Sequence, residues 1–179
     1  MRSDYVNNDT ISHLLWALMP ANRLVCELAL QTGWRVNDIL ELKTEQLDAS
    51  LKKTKHTVTI TEAKTGKKST RVIPKKLLQE LCEQSGTLYV FQGRDDWRKH
   101  RTRQAVYLDL KRVAKRFNIK LNLSPHSLRK NYAVDLRDNG YSLQEIQKRM
   151  NHDNIIVTML YALSDELGDK YGKNKKPRT

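Results

Sequence analysis

Apolar residues recur every three or four positions along most of the chain, with polar residues between them. This spacing predicts amphipathic helices, because residues three and four apart share one face of a helix. Several predicted boundaries carry residues that stabilise helix ends, with Asp9 or Thr10, Ser124, Ser142 and Asn154 at N-termini and Gly33 at a C-terminus. The predicted helices cover residues 11–19, 21–32, 36–42, 75–84, 102–117, 125–138 and 143–150, and a last one begins at Asn154.

The pattern changes between residues 56 and 73. Residues 56–61 are rich in β-branched side chains and alternate Thr with Val or Ile, which is typical of a strand. A polar turn with Gly66 follows at residues 64–68, and residues 71–73 are predicted to form the returning strand. The predicted fold class is therefore mainly α with one small antiparallel β-hairpin, an α+β arrangement.

The length of the chain bounds its organisation. A chain of 179 residues suits one domain that buries a substantial core. We expect residues 1–172 to form this domain and residues 173–179 to form a basic, disordered tail. No stretch approaches the roughly 18–20 uncharged apolar residues of a membrane-spanning helix, and the N-terminus lacks a secretory signal pattern. Cys26 and Cys82 lie far apart, which favours a reducing compartment and disfavours a zinc site.

Charge gives the first indication of a partner. The chain has 33 Lys and Arg against 20 Asp and Glu, a formal net charge of +13. The basic residues are clustered at residues 98–103, 111–120 and 170–178. Such an excess attracts polyanions, so nucleic acid is favoured as the partner over an anionic membrane or no partner at all.

Several residues that could take part in catalysis are spread along the chain. His126 and Arg129 are three residues apart on a predicted helix and so share one face. Taken alone, this pair is better explained as an exposed basic turn than as a site. However, His152 follows Arg129 by 23 residues, Tyr161 follows His152 by nine, and far upstream Arg35 stands in the segment Thr-Gly-Trp-Arg.

Together these residues resemble the motif of the tyrosine recombinase family, also called phage integrases. The family has an arginine after a Thr-Gly, a hairpin lysine, a His-x-x-Arg, a Gly-His or similar, and a tyrosine nine residues further on. The matching positions in this chain are Arg35, Lys64, His126, Arg129, His152 and Tyr161. The resemblance extends over residues 8–163 and implies the catalytic-domain fold of that family. Asn151 stands where the family usually has glycine, and asparagine tolerates the left-handed backbone that glycine would adopt there.

The resemblance implies site-specific DNA recombination by metal-free strand cleavage and rejoining. Tyr161 would attack the scissile phosphate and form a 3′-phosphotyrosyl link, with His126 assisting proton transfer. Arg35 and Arg129 would hold the non-bridging oxygens, since guanidinium is planar, charged and bidentate. The covalent link conserves the phosphodiester energy, so no cofactor, ATP or metal is expected.

The remaining roles follow from the same resemblance. His152 would hydrogen-bond the phosphate, Lys64 would protonate the leaving 5′-oxygen, and Asp38 would orient Arg35. Lys67 and Lys68 share the turn with Lys64, but the family typically uses the lysine before the Thr-Gly-like turn. Further candidates for DNA contact are Lys67, Lys68, Arg71, Arg101, Arg103 and Lys130.

Recombination in this family requires four protomers around a Holliday junction. The resemblance thus implies a tetramer assembled on double-stranded DNA, and it is compatible with a monomer in solution. Leu163, Leu167 and Tyr171 form a stripe that would dock either on a neighbouring protomer or on the same domain. The family also implies a prokaryotic or phage origin and a cytoplasmic location.

Several alternatives stay open at this stage. Only 34 residues precede Arg35, so the family's N-terminal DNA-clamp domain is expected to be absent. The chain would then be an excised catalytic domain, or a minimal recombinase like those that invert fimbrial promoters. A topoisomerase-like nicking and closing enzyme would share the chemistry. A catalytically silent or regulatory DNA-binding protein would keep the fold, but the complete residue set favours an active enzyme.

Overall fold

The computed structural model describes residues 3–167, a mainly helical arrangement with one β-hairpin. The expected basic tail at residues 173–179 and Tyr171 lie outside the described residues. In chain order the elements are α1 (Asn8–Ala17), α2 (Pro20–Thr32), α3 (Val36–Leu40), α4 (Thr44–Leu51), β1 (Thr57–Thr61), β2 (Lys68–Val72), α5 (Lys75–Gln84), α6 (Arg103–Arg116), α7 (Pro125–Asp138), α8 (Leu143–Met150) and α9 (Ile155–Ala162).

Most predicted helix boundaries are confirmed. Ser124, Ser142 and Asn154 each accept a backbone N–H at the start of α7, α8 and α9, and Gly33 ends α2. The first helix differs from its prediction, since Asn7 is the residue that caps it, accepting from the Thr10 amide at 2.8 Å. That helix ends at Ala17 rather than at residue 19, α3 ends at Leu40 rather than at residue 42, and α4 was not predicted.

The hairpin pairs β1 with β2 in antiparallel register, with Thr57 opposite Val72 and Thr61 opposite Lys68. The returning strand begins at Lys68, three residues earlier than its pattern predicted. Its buried Ser69 accepts a hydrogen bond from the Trp34 indole nitrogen at 2.9 Å, which fastens the hairpin to the segment between α2 and α3. This contact fixes where the turn at residues 62–67 lies relative to α3.

Two apolar clusters meet at α7. The larger one surrounds α2, whose Val25, Cys26 and Ala29 are fully buried. The smaller one packs α7 against α8 and α9, through residues such as Ile146 and Ala162. Because α7 contacts both clusters, side chains in its first two turns lie between α2 and the α8–α9 pair.

The described residues can also be searched for membrane-spanning helices, metal-binding groups and disulfides. Within residues 3–167, no helix is long and apolar enough to cross a membrane. The same residues contain no group of three or more His, Cys, Asp or Glu side chains arranged to hold a metal ion. Cys26 and Cys82 are free thiols, and burial raises the pKa of Cys26.

Candidate active site

Arg129 is the buried centre of the predicted residue set. Only 3% of the residue is exposed, and its guanidinium donates to the carbonyls of Gly33 and, at 3.1 Å, of Met150. These carbonyls lie at the C-terminal ends of α2 and α8, where the helix dipole favours a positive charge. Burial, and then the charge of Arg35, lowers the pKa of Arg129 to about 10, so the side chain stays charged at neutral pH.

Gly33 has a geometric reason to be glycine. It adopts φ of 68°, and a Cβ at this position would collide with the ring of Tyr132 on α7. Ending α2 in this way brings the Gly33 carbonyl to Arg129 and places Arg35 just before α3. The Thr-Gly-Trp-Arg segment therefore supplies both a guanidinium and an acceptor for the other arginine.

His152 lies in the loop between α8 and α9. Asn151, which precedes it, has the predicted left-handed backbone, with φ of 49°. The His152 Nε2 is 3.3 Å from an Arg129 Nη2, and its Nδ1 is 3.1 Å from the Thr158 hydroxyl. Burial, and then Arg129 and Arg35, lowers the pKa of His152 to about 4, so this imidazole is neutral at neutral pH.

Tyr161 on α9 faces the first turn of α7. Its hydroxyl oxygen is 3.4 Å from the His126 Nδ1, and its ring meets the His152 ring edge-on at 5.1 Å between centroids. Burial, followed by the charges of Arg103 and Arg129, lowers the pKa of His126 below its ordinary value. A neutral imidazole in contact with a phenol can accept the phenolic proton.

Lys64 shares a groove with the two arginines. This groove has a volume of about 150 Å³, and the side chains that line it include Arg35, Lys64, Arg103, His126 and Arg129. The other lysines of the turn differ, since the ammonium of Lys67 pairs with Asp153 at 3.3 Å and Lys68 begins β2. Of the turn lysines, Lys64 is therefore the one placed to act beside Arg35.

The carboxylate that holds Arg35 is Glu62, which corrects the expected role of Asp38. An Arg35 Nη1 donates to the Glu62 carboxylate, whereas Asp38 accepts the Ala63 backbone N–H at 3.0 Å. Burial raises the pKa of Asp38. The sequence motif did not include Glu62, although an acidic residue directly after a predicted strand, two positions before Lys64, was a usable signal.

The predicted DNA contacts divide into two groups. Lys67, Lys68 and Arg103 are exposed, so their predicted role stays open. The other three side chains also bind the protein itself, and their predicted contact with DNA stays a prediction. Arg71 donates to the carbonyls of Thr32 and Arg149, Arg101 donates to Asn22, and the buried Lys130 donates to the Ser3 carbonyl.

Comparisons with known proteins bear on the family and the fold of the chain. A model of the phage integrase family matches residues 5–167. Tyrosine recombinase XerD of Staphylococcus epidermidis is 27% identical over 154 residues, which cover 78% of this chain and 49% of that protein. The crystal structure of XerA recombinase superposes with a TM-score of 0.73 at 19% identity, covering 100% of this chain and 67% of that one. A lambda integrase dimer bound to a COC′ core site gives a TM-score of 0.74 at 18% identity, covering 100% of this chain and 51% of that one.

The solved structures are informative about the fold, and the family model is informative about the family. The structural similarities confirm the predicted recombinase catalytic-domain fold, with its single hairpin among helices. The chain spans about half the length of XerD. The family match runs from before α1 to beyond α9 and includes every element that carries the site. The chain therefore belongs to the phage integrase family.

Proposed function

We propose that this chain is the catalytic domain of a site-specific DNA recombinase that cuts and rejoins strands through a 3′-phosphotyrosyl link. One observation carries the proposal: the Tyr161 hydroxyl contacts a neutral His126 at the edge of a groove that also holds Arg35 and Arg129. A nucleophile, a proton acceptor and two fixed cations are the groups that phosphoryl transfer without a metal needs. Membership of the family supports this function.

In the proposed cleavage step, the Tyr161 oxygen attacks the scissile phosphorus and its proton passes to the His126 Nδ1. Arg35 and Arg129 hold the two non-bridging oxygens, on which negative charge develops in the transition state. Since the protein contacts of Arg129 already fix its guanidinium, little reorganisation is needed when the phosphate enters.

The leaving group departs as the new bond forms. Lys64 donates a proton to the 5′-oxygen as the P–O5′ bond breaks, which avoids the release of an alkoxide. Rejoining reverses these steps, with a 5′-hydroxyl attacking the phosphotyrosyl phosphorus and Tyr161 leaving. Because Arg129 can only donate to the His152 Nε2, the proton of this imidazole lies on Nδ1, toward the Thr158 hydroxyl, before the phosphate binds. For His152 to donate to the phosphate, the proton must shift to Nε2, with the phosphate replacing the Arg129 contact and the Thr158 hydroxyl donating to Nδ1.

Double-stranded DNA and further copies of the chain are the proposed partners. The net charge of +13 supports the first partner, and so does the similarity to a lambda integrase dimer bound to a core site. An apolar face on α9 supports the second partner. Its exposed side chains are Ile155, Ile156, Val157, Met159 and Leu160. We propose that neighbouring copies cover this face in a tetramer on DNA.

Covalent trapping tests the proposed function. Incubating the protein with supercoiled plasmid in EDTA and quenching with SDS should leave protein linked to DNA. The Tyr161→Phe variant should form no adduct while still binding the plasmid, because it lacks only the nucleophilic oxygen. Tyr141→Phe, which removes a hydroxyl that contacts Arg149, is the matched control and should form adducts normally.

Two results would contradict this function. An adduct formed by Tyr161→Phe would exclude Tyr161 as the nucleophile. Plasmid binding by the wild type without any adduct would favour the silent DNA-binding protein instead.

A further inference from the structure

Glu62 is among the least exposed charged residues of the described part, with 2% of its surface accessible. Its carboxylate accepts from Arg35, from the Thr65 hydroxyl at 3.1 Å and from the Asn151 amide at 2.7 Å. We propose that Glu62 is a positioning residue for strand cleavage, which orients Arg35 and sets the hairpin turn and the His152 loop relative to it. This inference rests on the proposed function.

The contacts of Glu62 leave it little freedom. An ionised carboxylate only accepts hydrogen bonds, and both of its oxygens are engaged by donors. The backbone of the residue is also fixed, since its N–H donates to the Lys67 carbonyl at 3.0 Å and its carbonyl accepts from the Gly66 amide at 2.8 Å. The carboxylate is therefore a rigid acceptor behind Arg35.

Charge explains why a carboxylate is useful at this position. Arg35 and Arg129 repel one another, and the charge of Arg35 contributes to the lowered pKa of Arg129. The Glu62 carboxylate acts in the opposite direction on Arg129. Its contact occupies one N–H of the five on the Arg35 guanidinium and leaves the others for phosphate oxygens.

The other two donors connect Glu62 to the rest of the site. Thr65 directly follows Lys64, and Asn151 directly precedes His152. One carboxylate thus ties together the neighbours of the proposed general acid and of the phosphate-binding histidine, while it holds the first arginine itself. Glu62 lies behind Arg35 and touches no reacting atom, so its effect must appear in the rate of cleavage rather than in DNA affinity.

The Glu62→Gln variant tests this role with nearly unchanged shape. A glutamine keeps an oxygen toward Arg35 only when its NH₂ faces Asn151, whose own amide must then flip to accept it, and a neutral amide oxygen holds a guanidinium less firmly than a carboxylate does. Small misplacements of catalytic groups can cost about 100-fold in rate. We expect a loss of that size in the rate of Tyr161 adduct formation on supercoiled plasmid, with unchanged affinity for the same plasmid.

The control is a buried carboxylate outside the site. Asp109 is 6% exposed and accepts from the Met19 amide and the Asn22 side chain. Asp109→Asn should lower stability without slowing adduct formation by the folded protein. The positioning role is wrong if Glu62→Gln cleaves at the wild-type rate, or if both variants slow cleavage equally.

A second measurement requires no cleavage. In protein labelled with ¹⁵N-arginine, with Arg35→Lys used to assign the signal, rotation of the Arg35 guanidinium should be slow in the wild type and fast in Glu62→Gln. Fast rotation in the wild type would overturn the positioning role. If the wild type forms no adduct, the proposed function fails, and the rotation measurement still decides whether Glu62 holds Arg35.

Discussion

Two neutral histidines next to two charged arginines determine how the site responds to acid. Burial contributes most to the lowered pKa of both His126 and His152, and the arginines add to it. His152 titrates at about 4, far from neutrality. The His126 Nδ1 is the atom that must accept the Tyr161 proton in the proposed mechanism.

The rate of adduct formation should therefore have an acid limb set by His126. A protonated imidazole cannot accept the Tyr161 proton, so the rate should fall as the pH drops through the pKa of His126. That pKa lies below the ordinary value of 6.5, so activity at neutral pH should be on the plateau. Rates on supercoiled plasmid from about pH 5 to about pH 8 check this expectation.

The control for the acid limb is His126→Gln, which should be slow at every pH and should lose the limb. Circular dichroism at each pH separates loss of rate from unfolding. An acid limb that persists in His126→Gln would assign the titration to another group.

Among the elements, the C-terminal end of α2 is the place where a larger side chain is expected to cost most stability. Gly33 combines a left-handed backbone with close approach of the Tyr132 ring, whereas Gly140, with φ of 82°, has nothing within 4 Å of its Cβ position. Backbone strain costs about 1–3 kcal/mol and overpacking a similar amount. Gly33→Ala should therefore lower the free energy of unfolding by about 2–6 kcal/mol, and Gly140→Ala by about 1–3 kcal/mol.

Urea denaturation of the two variants measures this difference. Because Gly140→Ala carries the backbone cost alone, the excess in Gly33→Ala reports the contact with Tyr132. Equal losses in both variants would mean that the ring moves aside without cost.

The elements that were predicted well are those with local signals. Ser124, Ser142 and Asn154 accept hydrogen bonds from amides two or three residues away, so their caps can be identified in the sequence. The start of α4 has one local contact, from the Lys43 amide to the Gln46 side chain at 2.8 Å, but lysine is not a typical N-cap residue and the Thr44 hydroxyl donates to the Gly86 carbonyl 42 residues further on. A contact between residues so far apart in the chain produces no local sequence pattern from which a helix start could be predicted.

The site residues also divide into those that the sequence pattern identifies and those whose contacts depend on the fold. The six motif residues were found because their order and spacing resemble a known family. The position of Glu62 next to the hairpin lysine was a signal in the sequence, but its partners could not be predicted, because Arg35 and Asn151 are 27 and 89 residues away and only the folded chain brings them together. The contacts of Arg71, Arg101 and Lys130 with protein oxygens could not be predicted, because a basic residue in the sequence does not reveal which oxygen it binds.

At the scale of the whole molecule, the nucleophile and the arginines that would hold the phosphate belong to one copy of the chain. Arg137 on α7 fastens the end of α9 by donating to the Ala162 carbonyl at 2.8 Å and to Asp165 at 2.9 Å. Tyr161 precedes Ala162, so these contacts hold the nucleophile against His126 of its own chain.

Mixing experiments should therefore show no complementation. Tyr161→Phe lacks the nucleophile, and in Arg129→Lys an ammonium replaces the bidentate guanidinium. If each copy cuts with its own tyrosine, a mixture of these variants should form no more adduct than Arg129→Lys alone on supercoiled plasmid. Tags of different size would identify the copy linked to DNA, and adduct gained on mixing would indicate that tyrosines are exchanged between copies.

The setting of Arg129 has an evolutionary consequence. Two of its contacts are main-chain carbonyls, those of Gly33 and Met150, and every amino acid supplies such an oxygen. Substitution at position 150 would therefore leave the acceptor in place as long as the helix keeps its course. The environment of this arginine is inherited with the path of the backbone, so it can survive extensive divergence of the side chains around it.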